Sequence, residues 1–512
     1  MRKMIFCVTF LLLSITSFSA CGRGNTGISL DDALEIAHAR REGIIMPGDD
    51  FLAGLTEGRA PQTLDLSRLA QRPRRTATIS AYDAIYDVTL FFEILRQFYG
   101  PYIYFGGDGV FIPARDGVIA TLVAQDYWPI GQVANLMYNA LDTVVNDNHF
   151  FMGSRSLVNF YEFFIAFHDV RFGKSEGGFY NLDSGAYVTD LILHGVSLFD
   201  DTENLFRLSL DSYGVLYYSL VFVQARDSAV TNINVTIVYE NGDAFDYLFT
   251  RMWSMGGRAS GESSLTFRDG IPVVAIREMG WPFSSEVFGF AGTNRERAQD
   301  FLRTAPKLRD EPVIIVDVRQ NRGGNGALGQ YWLRLLTGEI VPTNARGFFV
   351  VNQEKGGFTN VFDGVADLFY YLDEFTEYFG IDLHDFSEVD VVEGMWTDEN
   401  HFMYGYIPDR IVPNDRLLIF LTDRRTASAG EYFVDMAFNM QNTLVVGQNT
   451  SGTLLTGMTI SGLSLPHTGM TFSFGGNMAV FPKGHLPEGI GLTPDIWVNG
   501  DALEAVLAML ER

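Results

Sequence analysis

The stretch "LTDRRTASAGEYF", residues 421–433, places Ser428 between two unlike runs. The apolar, strand-like "RLLIFLT" leads in, and the helix-like "AGEYFVDMAFNMQ" leads out. A serine on such a turn exposes its hydroxyl, and the unpaired N–H groups of the helix's first turn lie where an oxyanion would develop. That is the setting of a nucleophile. Phe433, Met436, Ala437 and Met440 share one helical face, which would anchor the helix. Taken alone, the pattern describes an N-cap serine better than a nucleophile. The G-x-S-x-G elbow is absent, since Thr426 stands at its first glycine. A second stretch, "VIIVDVRQNRGGNG" (residues 313–326), ends an apolar run in a turn with Gly323 and Gly324. Backbone N–H groups of such a turn can hold an anion. It lacks the G-x-x-x-x-G-K-[ST] spacing of a phosphate loop.

The two stretches together resemble the tail-specific (C-terminal processing) serine protease family, whose signature pairs "D-x-R-x-N-x-G-G" with a later "T-A-S-A-x-E". Asp317, Arg319, Asn321, Gly323 and Gly324 match the first, and Thr426, Ala427, Ser428, Ala429 and Glu431 the second. "GIPVVAIREM" looks like the strand before the first turn, and "EGIGLTPDIWV" (488–498) like the closing motif. The resemblance covers about residues 130–150 and 265–500. It implies a ClpP/crotonase-like α/β core acting on peptides or proteins without a cofactor. Ser428 would be the nucleophile, with the N–H of Ala429 and that of Gly323 or Gly324 as the oxyanion hole.

One position departs from the bacterial Ser–Lys branch, whose lysine ends a "T-x-G-K" turn. Thr450, Ser451 and Gly452 align with that turn, and Thr453 stands at the lysine position. The tricorn-like branch instead uses a Ser–His pair backed by a glutamate. By resemblance to it, His149 in "NDNHFF" is the base and Glu488 orients it. An unperturbed histidine titrates near pH 6.5, so it can accept a hydroxyl proton near neutrality. His485, His467 and Lys483 are the rival bases, and a cation closing the third helix is the structural alternative for His149.

These side chains need elements to position them. Residues 28–154 read as a helical domain, with three helices of which the last runs toward His149. Residues 155–260 read as a small β-rich domain with a hairpin at Asn241–Gly242. Its closing hairpin looks like that of a PDZ domain, but no clear carboxylate-binding loop precedes it, so a β-rich spacer fits as well. Residues 265–512 alternate strand and helix and carry an acidic, aromatic insertion at 352–410.

The 512-residue chain has a net charge of -25, which argues against nucleic-acid partners. Residues 1–20 read as an export signal, and "FSAC" resembles a lipobox, making Cys21 the lipidated end of a tether, residues 21–27. The expectation is a lipoprotein anchored to a bacterial membrane, facing periplasm or cell surface. With Cys7 removed and Cys21 acylated, no disulfide or thiol chemistry remains. No metal is expected, because the eight histidines are scattered and no H-E-x-x-H occurs. The main alternative is a non-catalytic binding lipoprotein on the same scaffold. An unrelated ester hydrolase is disfavoured by the missing elbow.

Overall fold

The computed structural model describes residues 28–41, 54, 69, 77–165, 170–198, 200, 202–226, 229–252, 264–280, 292–351, 390–393, 411–457, 459–482 and 488–512. The signal, Cys21 and its tether, Lys483, His485 and all of the 352–410 insertion but 390–393 lie outside these residues.

The centre is a parallel run of strands: Ile271–Ala275, Val313–Asp317, Leu417–Thr422, Thr443–Gly447 and Ile496–Val498. Side chains alternate across a strand, so consecutive apolar residues serve opposite faces. Ile315, Ile419, Leu421, Leu444 and Val446 join one core. Ile314, Val316, Leu418, Phe420 and Val445 join the other. The helices Ala327–Thr337 and Ala429–Ala437 cover the second face, through Leu328, Trp332, Phe433 and Met436. The helix Ala502–Leu510 covers the first, through Ala505 and Val506. This is a mixed α/β fold around a large sheet.

The same sheet runs on into the β-rich region. Ile496–Val498 pairs in parallel with Phe206–Leu210, which pairs with Leu216–Ala225, and that strand pairs with Tyr161–Ile165. The described strands from Tyr161 to Arg251, which the sequence places in a separate small domain of residues 155–260, thus share one continuous sheet with the central parallel strands. The hairpin at Asn241–Gly242 forms, with Gly242 at φ 85.

The helical region also differs from the sequence reading. The helix Leu30–Arg41 leaves it and packs on the central sheet, where Ala33 and Ala37 are buried and Arg41 bonds to Asp495 and to the Thr443 carbonyl oxygen. The helices Ala81–Phe98, Asp108–Leu122 and Ile130–Leu141 form the rest. Ser80 caps the first, accepting from the Asp83 N–H at 3.1 Å. These helices pack on a four-stranded sheet made of Asp147–Met152, Arg155–Leu157, Thr459–Ser464 and Thr471–Gly475. Phe91, Tyr99, Phe150 and Phe472 meet edge to face there. His149 sits on the first of these strands rather than at a helix end, since the third helix stops at Leu141.

Candidate active site

Ser428 stands at φ 50 and ψ -120, a conformation costly for a residue with a Cβ. Strand Leu417–Thr422 delivers the chain to it, and helix Ala429–Ala437 carries it away. The turn is pinned to the glycine turn beside it. The Ala427 N–H donates to the Asn321 carbonyl oxygen at 2.8 Å, and the Thr426 hydroxyl to that of Val318 at 2.9 Å. Such strain persists only where surroundings over-determine it, and it concentrates at functional sites.

Glu431 is the main brace. Its carboxylate accepts from the Ser428 N–H at 2.9 Å, the Thr453 N–H at 2.9 Å, the Gly452 N–H at 2.8 Å and the Thr450 hydroxyl at 2.5 Å. Burial pushes its pKa up to about 7, against the pull of those four donors. The spacing Ser428-x-x-Glu431 is that of a capping box. Glu431 closes its half of the box through the Ser428 N–H, and the Ser428 hydroxyl also lies 3.2 Å from His149 Nε2.

Gly323 and Gly324 are there for space. A Cβ on Gly323 would lie 2.8 Å from the Ser428 Cβ, and one on Gly324 would lie 2.1 Å from the Met279 carbonyl oxygen. Both have positive φ, 96 and 129, which only glycine adopts without cost. The Gly323 N–H donates to the Asn321 side chain at 2.9 Å. Among the described residues, the N–H groups of Gly324 and Ala429 have no such acceptor. Asp317 stiffens this turn through Arg319 at 2.8 and 2.9 Å and Arg277 at 2.7 Å. Burial acts to raise the Asp317 pKa, but the bonds to the two arginines outweigh it and hold the carboxyl below its usual range.

The His149 Nε2 lies 3.2 Å from the Ser428 Oγ, across a sequence separation of 279 residues. Burial alone lowers its pKa to about 4, so the ring is neutral at neutral pH. The Nδ1 atom is sealed from solvent and, among the described residues, has no hydrogen-bond partner.

Glu488 lies beside the same strand but bonds elsewhere. It accepts from the Asn148 N–H at 2.6 Å and from the N–H groups of Leu454 and Leu455 at 2.8 Å each. The expected bond from Glu488 to the imidazole is not made: three backbone donors already take its two oxygens. Asp147, fully buried, accepts from the His149 N–H at 2.9 Å, the Thr456 hydroxyl at 3.0 Å and the Tyr99 hydroxyl at 3.0 Å. Burial raises Asp147 to about 6; burial and the nearby Asp147 raise Glu488 well above the usual carboxylate range. Thr453, at the lysine position, accepts from the Asn148 side chain at 2.6 Å. The rival His467 is elsewhere, against Asp83 and Tyr86 of the first long helix.

Residues 283–498 match the sequence profile of Peptidase family S41, and the match contains both turns and Ser428. This is the core of a serine-type peptidase. His149 lies outside the matched segment, so its place in the peptidase site rests on geometry. Among solved structures, mature CPAF is similar over 84% of this chain and 95% of its own, with 15% identity and a TM-score of 0.40. A putative peptidase from Parabacteroides merdae covers 85% and 98%, with 13% identity and a TM-score of 0.37. The photosystem II D1 C-terminal processing protease covers 84% and 96%, with 12% identity and a TM-score of 0.34. Identities this low say nothing about the residues of a site. A search of curated protein sequences gives no match.

The sequence names Glu431 as a position of the second motif, and its Ser-x-x-Glu spacing carries the signal of a brace, but its four bonds are seen only in the fold; nothing in the sequence marks Asp147 as the carboxylate that grips the His149 backbone.

Proposed function

We propose that the protein is a lipid-anchored peptidase of the bacterial cell envelope that cleaves peptide bonds through an acyl-enzyme on Ser428. The reading is carried by one observation, the 3.2 Å approach of His149 Nε2 to a strained serine. His149, protonated on Nδ1, takes the hydroxyl proton on Nε2 while Oγ attacks the peptide carbonyl carbon. The N–H groups of Ala429 and Gly324 receive the oxyanion, and Gly323, without a Cβ, leaves room for the Ser428 side chain. The imidazolium returns its proton to the leaving amine, and a water then hydrolyses the ester. Glu488 orients the base through the Asn148 backbone. The anchor would be a lipid on Cys21.

A binding lipoprotein without catalysis is the second reading. It is favoured by the lack of an acceptor on Nδ1, which leaves an imidazolium unstabilised in a buried place. One experiment separates the two. A serine-reactive fluorophosphonate should label the wild type at Ser428, and neither Ser428→Ala nor His149→Ala. An unlabelled wild type that cleaves no peptide supports the binding reading. Metabolic labelling with a fatty acid, lost in Cys21→Ala, tests the anchor.

A further inference from the structure

The chain carries 62 acidic and 37 basic residues, yet the two turns meeting at Ser428 hold four arginines: Arg319, Arg322, Arg424 and Arg425. Two are committed to the fold. Arg319 bonds to Asp317 and Asp501, and Arg424 to the Tyr161 carbonyl oxygen and Glu162. The other two, Arg322 and Arg425, are exposed, and among the described residues neither has an ion pair or a side-chain hydrogen bond. Both are placed at the nucleophile by the backbone. Arg322 precedes Gly323, whose Cβ position is 2.8 Å from the Ser428 Cβ. Arg425 is three residues before Ser428, in the turn tied to Asn321 by the 2.8 Å bond of Ala427.

The carboxylates of the same turns point the other way. Asp317, Asp423 and Glu431 are all buried. Asp423 accepts from the N–H groups of Gln320 and Arg425 beneath the turn. On the neighbouring strand end, Glu278 is exposed and already has a partner. Behind Arg424, Glu162 is shared with Arg226, at 3.2 and 3.5 Å respectively. The charge that the turns show to solvent is therefore positive, on a chain whose net charge of -25 repels acidic ligands elsewhere.

We propose that Arg322 and Arg425 make the site at Ser428 select peptides bearing Asp or Glu beside the scissile bond. This rests on the peptidase reading of Ser428 and names its substrate class. Guanidinium groups suit carboxylates because their planar donor fork matches two oxygens at once. A positive spot on an acidic surface also steers an acidic peptide to one register.

Binding to Ser428→Ala protein tests this without requiring turnover. Fluorescent peptide pairs that differ only in Asp/Glu against Asn/Gln would be compared by anisotropy at low and high salt. The acidic member should bind about tenfold tighter at low salt, two exposed charge pairs each giving a few-fold. Arg322→Gln with Arg425→Gln should remove most of that preference, and the double Lys variant should keep part of it. Equal binding within pairs, a preference that survives the double Gln change, or no binding of any peptide overturns the proposal. Fluorophosphonate labelling of the double Gln variant with Ser428 intact shows whether the turn is undisturbed. Failure of the wild type to label would instead count against the nucleophile, and the binding preference would still stand or fall by itself.

Discussion

The serine and the histidine meet at 3.2 Å, but they are held in unlike ways. Around Ser428, one buried carboxylate collects four donors from the nucleophile's own N–H and from the 450–453 segment. Around His149, two buried carboxylates grip backbone N–H groups, and neither reaches the ring. Ser428 is thus held through its backbone. His149 is held through its strand, and among the described residues its imidazole meets one hydrogen-bonding group, the Ser428 hydroxyl. Preorganisation is stronger around the serine than around the histidine ring.

Removing the brace of the nucleophile should have the largest effect. Glu431→Ala leaves four buried donors without an acceptor, which costs about 3–5 kcal/mol and should abolish labelling of Ser428. Glu431→Gln keeps the volume but offers one acceptor oxygen, so its urea midpoint should fall between the two. If Glu431→Ala unfolds at the wild-type midpoint, the carboxylate is not what holds the turn. Next comes Gly323→Ala. A methyl 2.8 Å from the Ser428 Cβ, at φ 96, must shift the serine. Misplacement of that order costs about a hundredfold in rate. A labelling rate within a few-fold of wild type would mean that the turn can yield.

How much of this was legible follows the same division. The serine side is built from neighbours in sequence, a strand, a turn and a helix. Its apolar runs and glycine positions therefore mark the strand, the helix and the turn beside it, while the role of Ser428 as nucleophile comes from resemblance. The histidine side is assembled from separated segments. The strand Asp147–Met152 pairs with Thr471–Gly475, and Glu488 reaches Asn148 from 340 residues away. Periodicity has no access to such pairings, and the choice of His149 and Glu488 came from resemblance. The same limit explains the domain boundaries. No signal in residues 155–260 tells that the strand Phe206–Leu210 will join Ile496–Val498.

The weaker hold on the base predicts a smaller, more specific loss. Glu488→Gln removes one of two acceptor oxygens that serve Asn148, Leu454 and Leu455. If Glu488 acts only through the backbone, kcat should fall about tenfold, as for a supporting group of that kind, and the pH dependence should keep its midpoint. If the carboxylate instead reaches the imidazolium during the reaction, the acid limb should move down in pH unit for unit with the lost stabilisation. The pH profile of the variant therefore decides which contact operates.

The smallest effect, and the most diagnostic, is the position of that acid limb in the wild type. Burial lowers His149 to about 4, so the ring is in its basic form above that pH and activity should rise through pH 4 to a plateau by neutrality. A limb near 6.5 would mean that the imidazolium is stabilised by a group that reaches Nδ1. Stability should run in the opposite direction, which keeps the two readouts separable. Asp147 and Glu431 are raised to about 6 and about 7, above their unfolded values of 3.8 and 4.5. Between those limits the native state binds more protons than the unfolded one, so stability is fullest below pH 4 for these groups and declines as pH rises through 6 to 7. His149 contributes the reverse, losing stability as pH falls from 6.5 toward 4, but it is one group against several raised carboxylates, since burial also raises Glu488, Asp87 and, to about 6, Asp435. The thermal midpoint should therefore fall from pH 5 to 8 while activity holds its plateau. Midpoint and activity falling together would tie the loss to unfolding and leave the base unassigned.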